Sequence, residues 1–246
     1  MLLFFKEEGN KLLVLNVFEV HMKKIYLYLF FQFFILLAVA QSQSDSNYSF
    51  GVKLFSVEEL PKMMNEVREN SKYQTPSFNG LIFKVNDNQI SYRFQINTLK
   101  QNNYSFKNEC ADCESVTGNY DELNFKIGFE RNITYSRIQP FYGIDLGYTE
   151  AKFNGVSKDS KSNTFLYNAN IQKNGFVAYS FIGLKFNIIK HLTLSAESGI
   201  NFVYNYEKEI KSNATNTVIS SSGFTRSRFV NKPLGMLSLQ FNFGSL

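Results

Sequence analysis

The segment FIGLKFNIIKHLTLSAESGINF, residues 181–202, alternates apolar and polar side chains on both sides of a short interruption at residues 187–191. In its second half apolar residues hold almost every even position, and polar residues, Glu197 among them, hold the odd ones. A period of two residues is that of a β-strand. The segment therefore predicts two antiparallel strands joined by a tight turn, each with one apolar and one polar face.

The same alternation recurs along the chain. Abundant Phe (26) and Tyr (14) and scarce Pro (4) also favour strands. Counting the alternation predicts eight strands, at about 47–55, 79–86, 89–98, 120–130, 137–150, 174–187, 191–206 and 232–244.

The predicted connections alternate between short and long. Short ones lie at 86–88, 131–136 and 188–190; long polar ones lie at about 56–78, 99–119, 151–173 and 207–231. This alternation is typical of a barrel that crosses a membrane, with turns on one side and loops on the other. We therefore predict an all-β fold: an eight-stranded antiparallel up-and-down transmembrane β-barrel.

The first long loop carries a helix signal. Ser56-Val57-Glu58-Glu59 has the form of a capping box, and helix-forming residues continue to about Asn70. We expect a short helix there, although Pro61 is awkward in a helix interior.

Charged residues recur on the polar faces of the predicted strands. In a small barrel this face lines the lumen, where unpaired charges are costly, so we expect a paired network that plugs the lumen and gives Glu197 a cationic partner. A soluble barrel with an apolar interior is the alternative, and local alternation does not separate the two; aromatic residues near strand ends favour the membrane. The expected lumen charges are Lys53, Lys84, Arg93, Glu122, Lys126, Glu130, Asp145, Lys185 and Glu197.

The N-terminal region has the pattern of a signal peptide. Met22-Lys23-Lys24 is basic, residues 25–37 are almost all apolar, and Ala38-Val39-Ala40 has the A-x-A form of a cleavage site. We expect residues 1–21 to precede the true start, residues 22–40 to be the signal peptide, and residues 41–246 to form the barrel domain. An N-terminal helix anchor is the alternative interpretation.

The sequence predicts neither an enzyme nor a cofactor. His191, Ser195 and Glu197 share one strand face, but His191 and Ser195 would lie about 13 Å apart, too far for nucleophile activation. Asp145 and Glu197 could pair as carboxylates, but salt bridges to lumen cations are favoured. Cys110 and Cys113 predict a small loop disulfide or free thiols in a structural role. A net charge of +5 without a basic block indicates no nucleic-acid partner.

Three stretches carry a family resemblance: IQPFYGIDLGYTEAKF (138–153), GLKFNIIKHLTLSAESGINFVYNY (183–206) and LGMLSLQFNFGSL (234–246). They resemble the small outer-membrane β-barrel proteins of Bacteroidota-type bacteria, although the last aromatic, Phe243, is followed by three further residues. The resemblance implies the outer membrane of a Gram-negative bacterium, contact with its lipid and lipopolysaccharide, and insertion by the barrel-assembly machinery. It implies no shared activity.

Together these patterns predict a non-enzymatic barrel that anchors four long surface loops. The loops would serve surface recognition, adhesion or envelope integrity through an unidentified partner. The alternatives are an exported soluble β-barrel that binds a small apolar ligand, and a barrel subunit of a secretion or assembly complex.

Overall fold

The structure is a computed structural model that describes residues 46–64, 66–67, 73–87, 89–108 and 114–245. The expected signal peptide, the segment before it, and Cys110 and Cys113 lie outside the described residues. The chain divides into two compact units. One of them comprises residues 44–134 and 138–246 and holds the strands described below.

The described residues form ten β-strands and no helix. They are β1 Ser46–Glu59, β2 Glu66–Val67, β3 Tyr73–Gln74, β4 Ser77–Asp87, β5 Ile90–Asn108, β6 Glu114–Asn132, β7 Ile138–Asp159, β8 Phe165–Ile189, β9 Leu192–Ser212 and β10 Val218–Ser245.

All the pairings are antiparallel and belong to one sheet. The long strands follow each other in the order β1, β4, β5, β6, β7, β8, β9, β10, and β10 then pairs with β1, so the sheet closes on itself. The two-residue strands are additions to this ring: β2 pairs with the end of β5, and β3 with the end of β1. The predicted all-β antiparallel fold is confirmed at this level.

Each predicted strand lies inside one of the long strands to within one residue, but β6, β8 and β10 start 6, 9 and 14 residues earlier than predicted, and three predicted long loops are wrong. Most of residues 99–119, 151–173 and 207–231 continue the flanking strands as hairpins, and the last two hairpins end in turns at 160–164 and 213–217. These strand extensions carry polar residues on the outside and thus have the composition of loops. Between Gln101 and Tyr104 a register shift also breaks the alternation on β5.

The predicted helix between Ser56 and Asn70 is also wrong where the structure describes the chain. Ser56–Glu59 continue β1, residues 60–63 have no regular structure, and β2 follows. Glu58 accepts from Ser56 Oγ at 2.7 Å and from Lys53 Nζ at 2.5 Å. Buried ion pairing by Glu58 and the proline at position 61 thus override the local helix signal.

Hydrogen bonds from backbone N–H groups to side-chain oxygens stabilise the turns at 160–164 and 213–217. Asp159 Oδ1 accepts from the backbone N–H groups of Lys161 and Ser162, and Asn213 Oδ1 accepts from those of Thr215 and Thr217. Asn163 and Asn216 take positive φ values of 56° and 61°. Asn tolerates this left-handed conformation better than most residues, which explains its place in both turns.

The polarity of the sheet reverses along its strands. On β5 the exposed residues at 90, 92, 94 and 96 are Ile, Tyr, Phe and Ile, whereas those at 98, 100, 105 and 107 are Thr, Lys, Ser and Lys. The inward residues change the other way, from Arg93 and Gln95 to Leu99, Tyr104 and Phe106. We call the part with exposed apolar residues the apolar band, and residues 98–108, 114–122, 149–175 and 207–228 the extension.

The same reversal occurs on the neighbouring strands. On β6 exposed Leu123, Phe125, Ile127 and Phe129 give way to exposed Thr117, Asn119 and Asp121. On β7 the exposed residues are Tyr148 in the apolar part and Lys152 and Asn154 in the polar part. On β8 they are Phe176 in the apolar part and Gln172 and Asn174 in the polar part. The register pairs Ile96 with Phe125, Phe125 with Tyr148 and Tyr148 with Phe176, so the border runs continuously across four strands.

Candidate functional site

The interior of the apolar band is organised around Arg93. Its guanidinium donates to Glu197 from Nη1 at 2.9 Å and from Nη2 at 3.0 Å, and from Nη1 to Glu130 at 3.0 Å. Asp145 Oδ1 lies 3.2 Å from Arg93 Nε. The side chains of Arg93, Glu130 and Asp145 are fully buried. Strands β5, β6, β7 and β9 therefore meet at one side chain in the middle of the ring.

Further ion pairs surround this centre. Lys84 and Lys185 each contact Glu130 Oε1, at 2.8 Å and 2.5 Å. A separate group forms around Glu58, which makes ion pairs with Lys53 and Lys232 and thereby joins β1 to β10. The interior of the band is thus filled by charged side chains that contact each other.

Aromatic rings pack within the same interior. Phe141 lies opposite Gly183 and Phe181 opposite Gly143 in the β7–β8 register, and a Cβ on either glycine would lie 2.4 Å from the ring Cζ of its partner. The Arg93 guanidinium lies 4.1 Å from the centroid of the Phe181 ring. The two glycines therefore provide the space that these rings occupy.

The structure places all nine predicted lumen charges on the inward side of the sheet. It brings Lys84, Arg93, Glu130, Asp145, Lys185 and Glu197 into one network and pairs Lys53 with Glu58. The other two take different partners. Lys126 lies 4.2 Å from the centroid of the Tyr179 ring, and Glu122 accepts from the hydroxyl groups of Tyr120 and Thr149.

The extension encloses a different interior, which we call the chamber. One wall of the chamber, on β5–β8, is apolar. Residues 60–64, the plug segment, lie against this wall with Leu60, Met63 and Met64 at 4% exposure or less. These three side chains form one hydrophobic cluster with the residues of the wall, which are Leu99, Tyr104, Phe106, Val116, Tyr120, Ala151, Phe153, Tyr167, Ala169 and Ile171.

The opposite wall of the chamber, on β8–β10, is cationic. Lys173 Nζ donates to the backbone carbonyl of Lys62 at 2.6 Å, and Arg228 Nη1 donates to the same oxygen at 3.1 Å. Arg226 donates to the carbonyl of Met64 from both terminal nitrogens, each at 3.4 Å. The plug segment therefore turns its apolar side chains to one wall and its carbonyl groups to the other.

Lys173 is the most buried cation of this wall. It is 2% exposed and lies 3.3 Å from a carboxylate oxygen of Glu207. Burial and the nearby Arg228 lower the pKa of Lys173 to about 7, against the opposing attraction of Glu207. A lysine with this pKa changes its charge near neutral pH, where an ordinary lysine does not.

Between the plug segment and the charged network lies a cavity of about 40 Å³. Among its lining residues are Asn124, Asn201 and Asn205, each more than nine-tenths buried, whose amide oxygens have no hydrogen-bond partner. A cavity of this size holds only a few water molecules. The resting chamber is therefore filled by the protein itself.

Sequence reasoning missed Glu58, Lys173, Glu207 and Lys232 as interior charges. Glu58 fell in the predicted helix, and Lys173 and Glu207 fell in predicted loops. Lys232 was the first residue of a predicted strand, and it has the even parity of the polar face formed by Ser238, Gln240 and Asn242. That parity is the one signal that could have found it.

The residues considered for chemistry do not form a catalytic arrangement. His191 is exposed, and its Nδ1 lies 3.1 Å from the carbonyl oxygen of Asn242. Ser195 Oγ is buried without a hydrogen-bond partner, and Glu197 is bound to Arg93. Within the described parts of the chain, no group of three His, Cys, Asp or Glu side chains could hold a metal ion. In those parts, no helix is long and apolar enough to cross a membrane.

Comparison with known proteins adds no relative: neither protein-family models nor curated protein sequences match this chain.

Proposed function

We propose that this chain is a transmembrane β-barrel of a Gram-negative outer membrane. Its eight long strands cross the bilayer at the apolar band, and the extension projects into water outside. The main support for this proposal is that the exposed residues of single strands change from apolar to polar along the strand. A membrane-spanning barrel segment needs an apolar outer face, and a segment in water needs a polar one.

The exposed residues of the band support a lipid environment. Phe176, Ile182 and Leu146 are 70%, 69% and 59% exposed, and they belong to a surface of similar residues on every long strand. Soluble proteins rarely expose contiguous apolar patches larger than a few hundred Å². A soluble barrel with an apolar ligand site would need the opposite arrangement in this region, with its charges outside.

The filled interior supports a role as an anchor rather than a pore or an enzyme. An eight-stranded barrel is just wide enough to be filled by side chains, and here ion pairs and rings cross it. Recognition would then belong to the extension, which takes the place of three of the four long loops that the sequence predicts. The proposed partners are lipid and lipopolysaccharide around the band, the barrel-assembly machinery, and a surface ligand of the extension.

Cell fractionation tests this proposal. The protein, expressed with its N-terminal region in a Gram-negative host, is expected in the sarkosyl-insoluble outer-membrane fraction, and its gel mobility should change on boiling. Release of the folded protein into the soluble periplasmic fraction would overturn the proposal.

A further inference from the structure

The two walls of the chamber match the two ends of an amphiphile. The β5–β8 wall offers aliphatic and aromatic side chains, and the β8–β10 wall offers Lys173, Arg226 and Arg228. The apolar wall is covered by three side chains of the plug segment, Leu60, Met63 and Met64. Met and Leu side chains resemble pieces of an alkyl chain in size and flexibility.

The cationic wall lacks matching negative charge. Among the described residues Glu207 is the carboxylate within ion-pair distance of this wall, through Lys173. Glu207 and Glu122 also attract Arg228 from a longer distance, but neither Arg226 nor Arg228 forms an ion pair in the described part of the chain. Their partners are neutral carbonyl groups of the plug segment, and Arg228 Nε is buried without any partner. Buried cations are strongly stabilised by an anion, and hydrogen bonds between charged groups are stronger than those to neutral acceptors.

We propose that the chamber binds a single-chain amphiphile with an anionic head group, and that the plug segment is its resting occupant. The apolar chain lies against the β5–β8 wall in place of Leu60, Met63 and Met64. The head group accepts hydrogen bonds from Lys173, Arg226 and Arg228 in place of the carbonyl groups of Lys62 and Met64.

Binding requires the plug segment to move, because the resting cavity of about 40 Å³ is too small for an alkyl chain. Residues 60–63 belong to no strand, so no strand pairing holds them in place, although the backbone N–H and carbonyl of Met63 are both bonded to Glu66. Met64 has a φ of 47°, a left-handed conformation that is costly for a residue other than Gly or Asn. Displacement of the segment would relieve this strain.

The experiment measures saturable binding of two fluorescent probes that differ only in the head group. They are cis-parinaric acid and its methyl ester, titrated against the protein in phosphatidylcholine nanodiscs, with empty nanodiscs as background. Co-elution with nanodiscs reports membrane insertion separately, so failure of the outer-membrane proposal is distinguishable from failure of this one. A protein that does not insert is titrated in buffer.

We expect the acid to bind at least about tenfold tighter than the ester, which corresponds to one hydrogen bond to a charged group. The variant Arg226→Gln, Arg228→Gln should lose this preference and keep its affinity for the ester, which shows that the chamber is intact. Leu60→Ala, Met63→Ala should bind both probes more tightly, because the competing plug segment is weakened. Arg131→Gln, an exposed arginine outside the chamber, is the matched control and should behave as wild type.

Three results would overturn the proposal. One is equal binding of acid and ester by the wild type. Another is an unchanged preference for the acid after both arginines are replaced. The third is the absence of saturable binding by both the wild type and the variant with the weakened plug segment.

Discussion

Arg93 and Glu197 form a bidentate ion pair across the ring, with N–O distances of 2.9 Å and 3.0 Å. Arg93 lies on β5 and Glu197 on β9, which is the fourth long strand from β5 in either direction around the closed sheet. This contact therefore joins opposite sides of the ring. Its two side chains are at most 2% exposed.

Removing one partner of this pair should destabilise the fold strongly. Glu197→Leu leaves the guanidinium of Arg93 with less negative charge around it, and breaking a buried pair costs about 3–5 kcal/mol. We expect urea to unfold this variant at a clearly lower concentration, measured by the change in gel mobility. The exposed pair Glu150–Lys152 provides the control, because Glu150→Leu should cost less than about 1 kcal/mol. Equal midpoints for the two variants would contradict the central role of Arg93.

A methyl group at Gly183 should disturb the packing of the rings. The added Cβ of Gly183→Ala would lie 2.4 Å from Phe141 Cζ and 2.5 Å from the carbonyl oxygen of Ala196. Since one of these contacts is with backbone, relaxation of the ring alone does not remove the clash, and overpacking costs about 1–3 kcal/mol. The urea midpoint should fall. Phe141→Leu in the same chain should remove only the contact with the ring and leave the contact with the Ala196 carbonyl oxygen, so it should not restore the midpoint fully. An unchanged midpoint in Gly183→Ala would refute the steric explanation.

The filled lumen should not conduct ions. We expect no channel steps in planar bilayers for the wild type. Replacement of the plug segment by a Gly-Ser linker should also leave the interior of the ring closed, because the layer of Arg93, Glu130 and Phe141 lies beyond the plug segment. Discrete conductance steps from the wild type would show that the band interior is not closed. Steps from the linker variant alone would show that the plug segment is the barrier.

Lys173 should make stability depend on pH. Its pKa of about 7 lies below the ordinary 10.5 because of burial and Arg228, with Arg226 acting in the same direction and Glu207 opposing them. Between these two values the unfolded chain binds a proton that the folded chain does not, so the free energy of unfolding rises with pH through this window. Lys173→Met should show a smaller rise than wild type.

The measurement for Lys173 compares urea midpoints at pH 7 and pH 9.5. Lys152→Met, which changes an exposed lysine, is the control and should keep the rise shown by wild type. The same rise in Lys173→Met as in wild type would exclude Lys173 as its source.

The sequence predicts the ring better than the chamber, for a physical reason. Alternation assigns each residue to a face, so the inward direction of Glu197 follows from its parity with Thr193 and Ser195. Its partner does not follow, because Arg93 is 104 positions away and meets it only through closure of the sheet. Lys173 and Glu207 lie where the outer face has turned polar, and such segments have the composition of loops.

The most direct test of the central claim uses the absence of tryptophan from the chain. Leu146→Trp and Lys152→Trp each place one fluorophore on the outer face of β7, about 20 Å apart along the strand. In vesicles containing brominated phosphatidylcholine we expect strong quenching and blue-shifted emission at position 146, and weak quenching with red-shifted emission at position 152. Equal quenching at the two positions would contradict a membrane border between them.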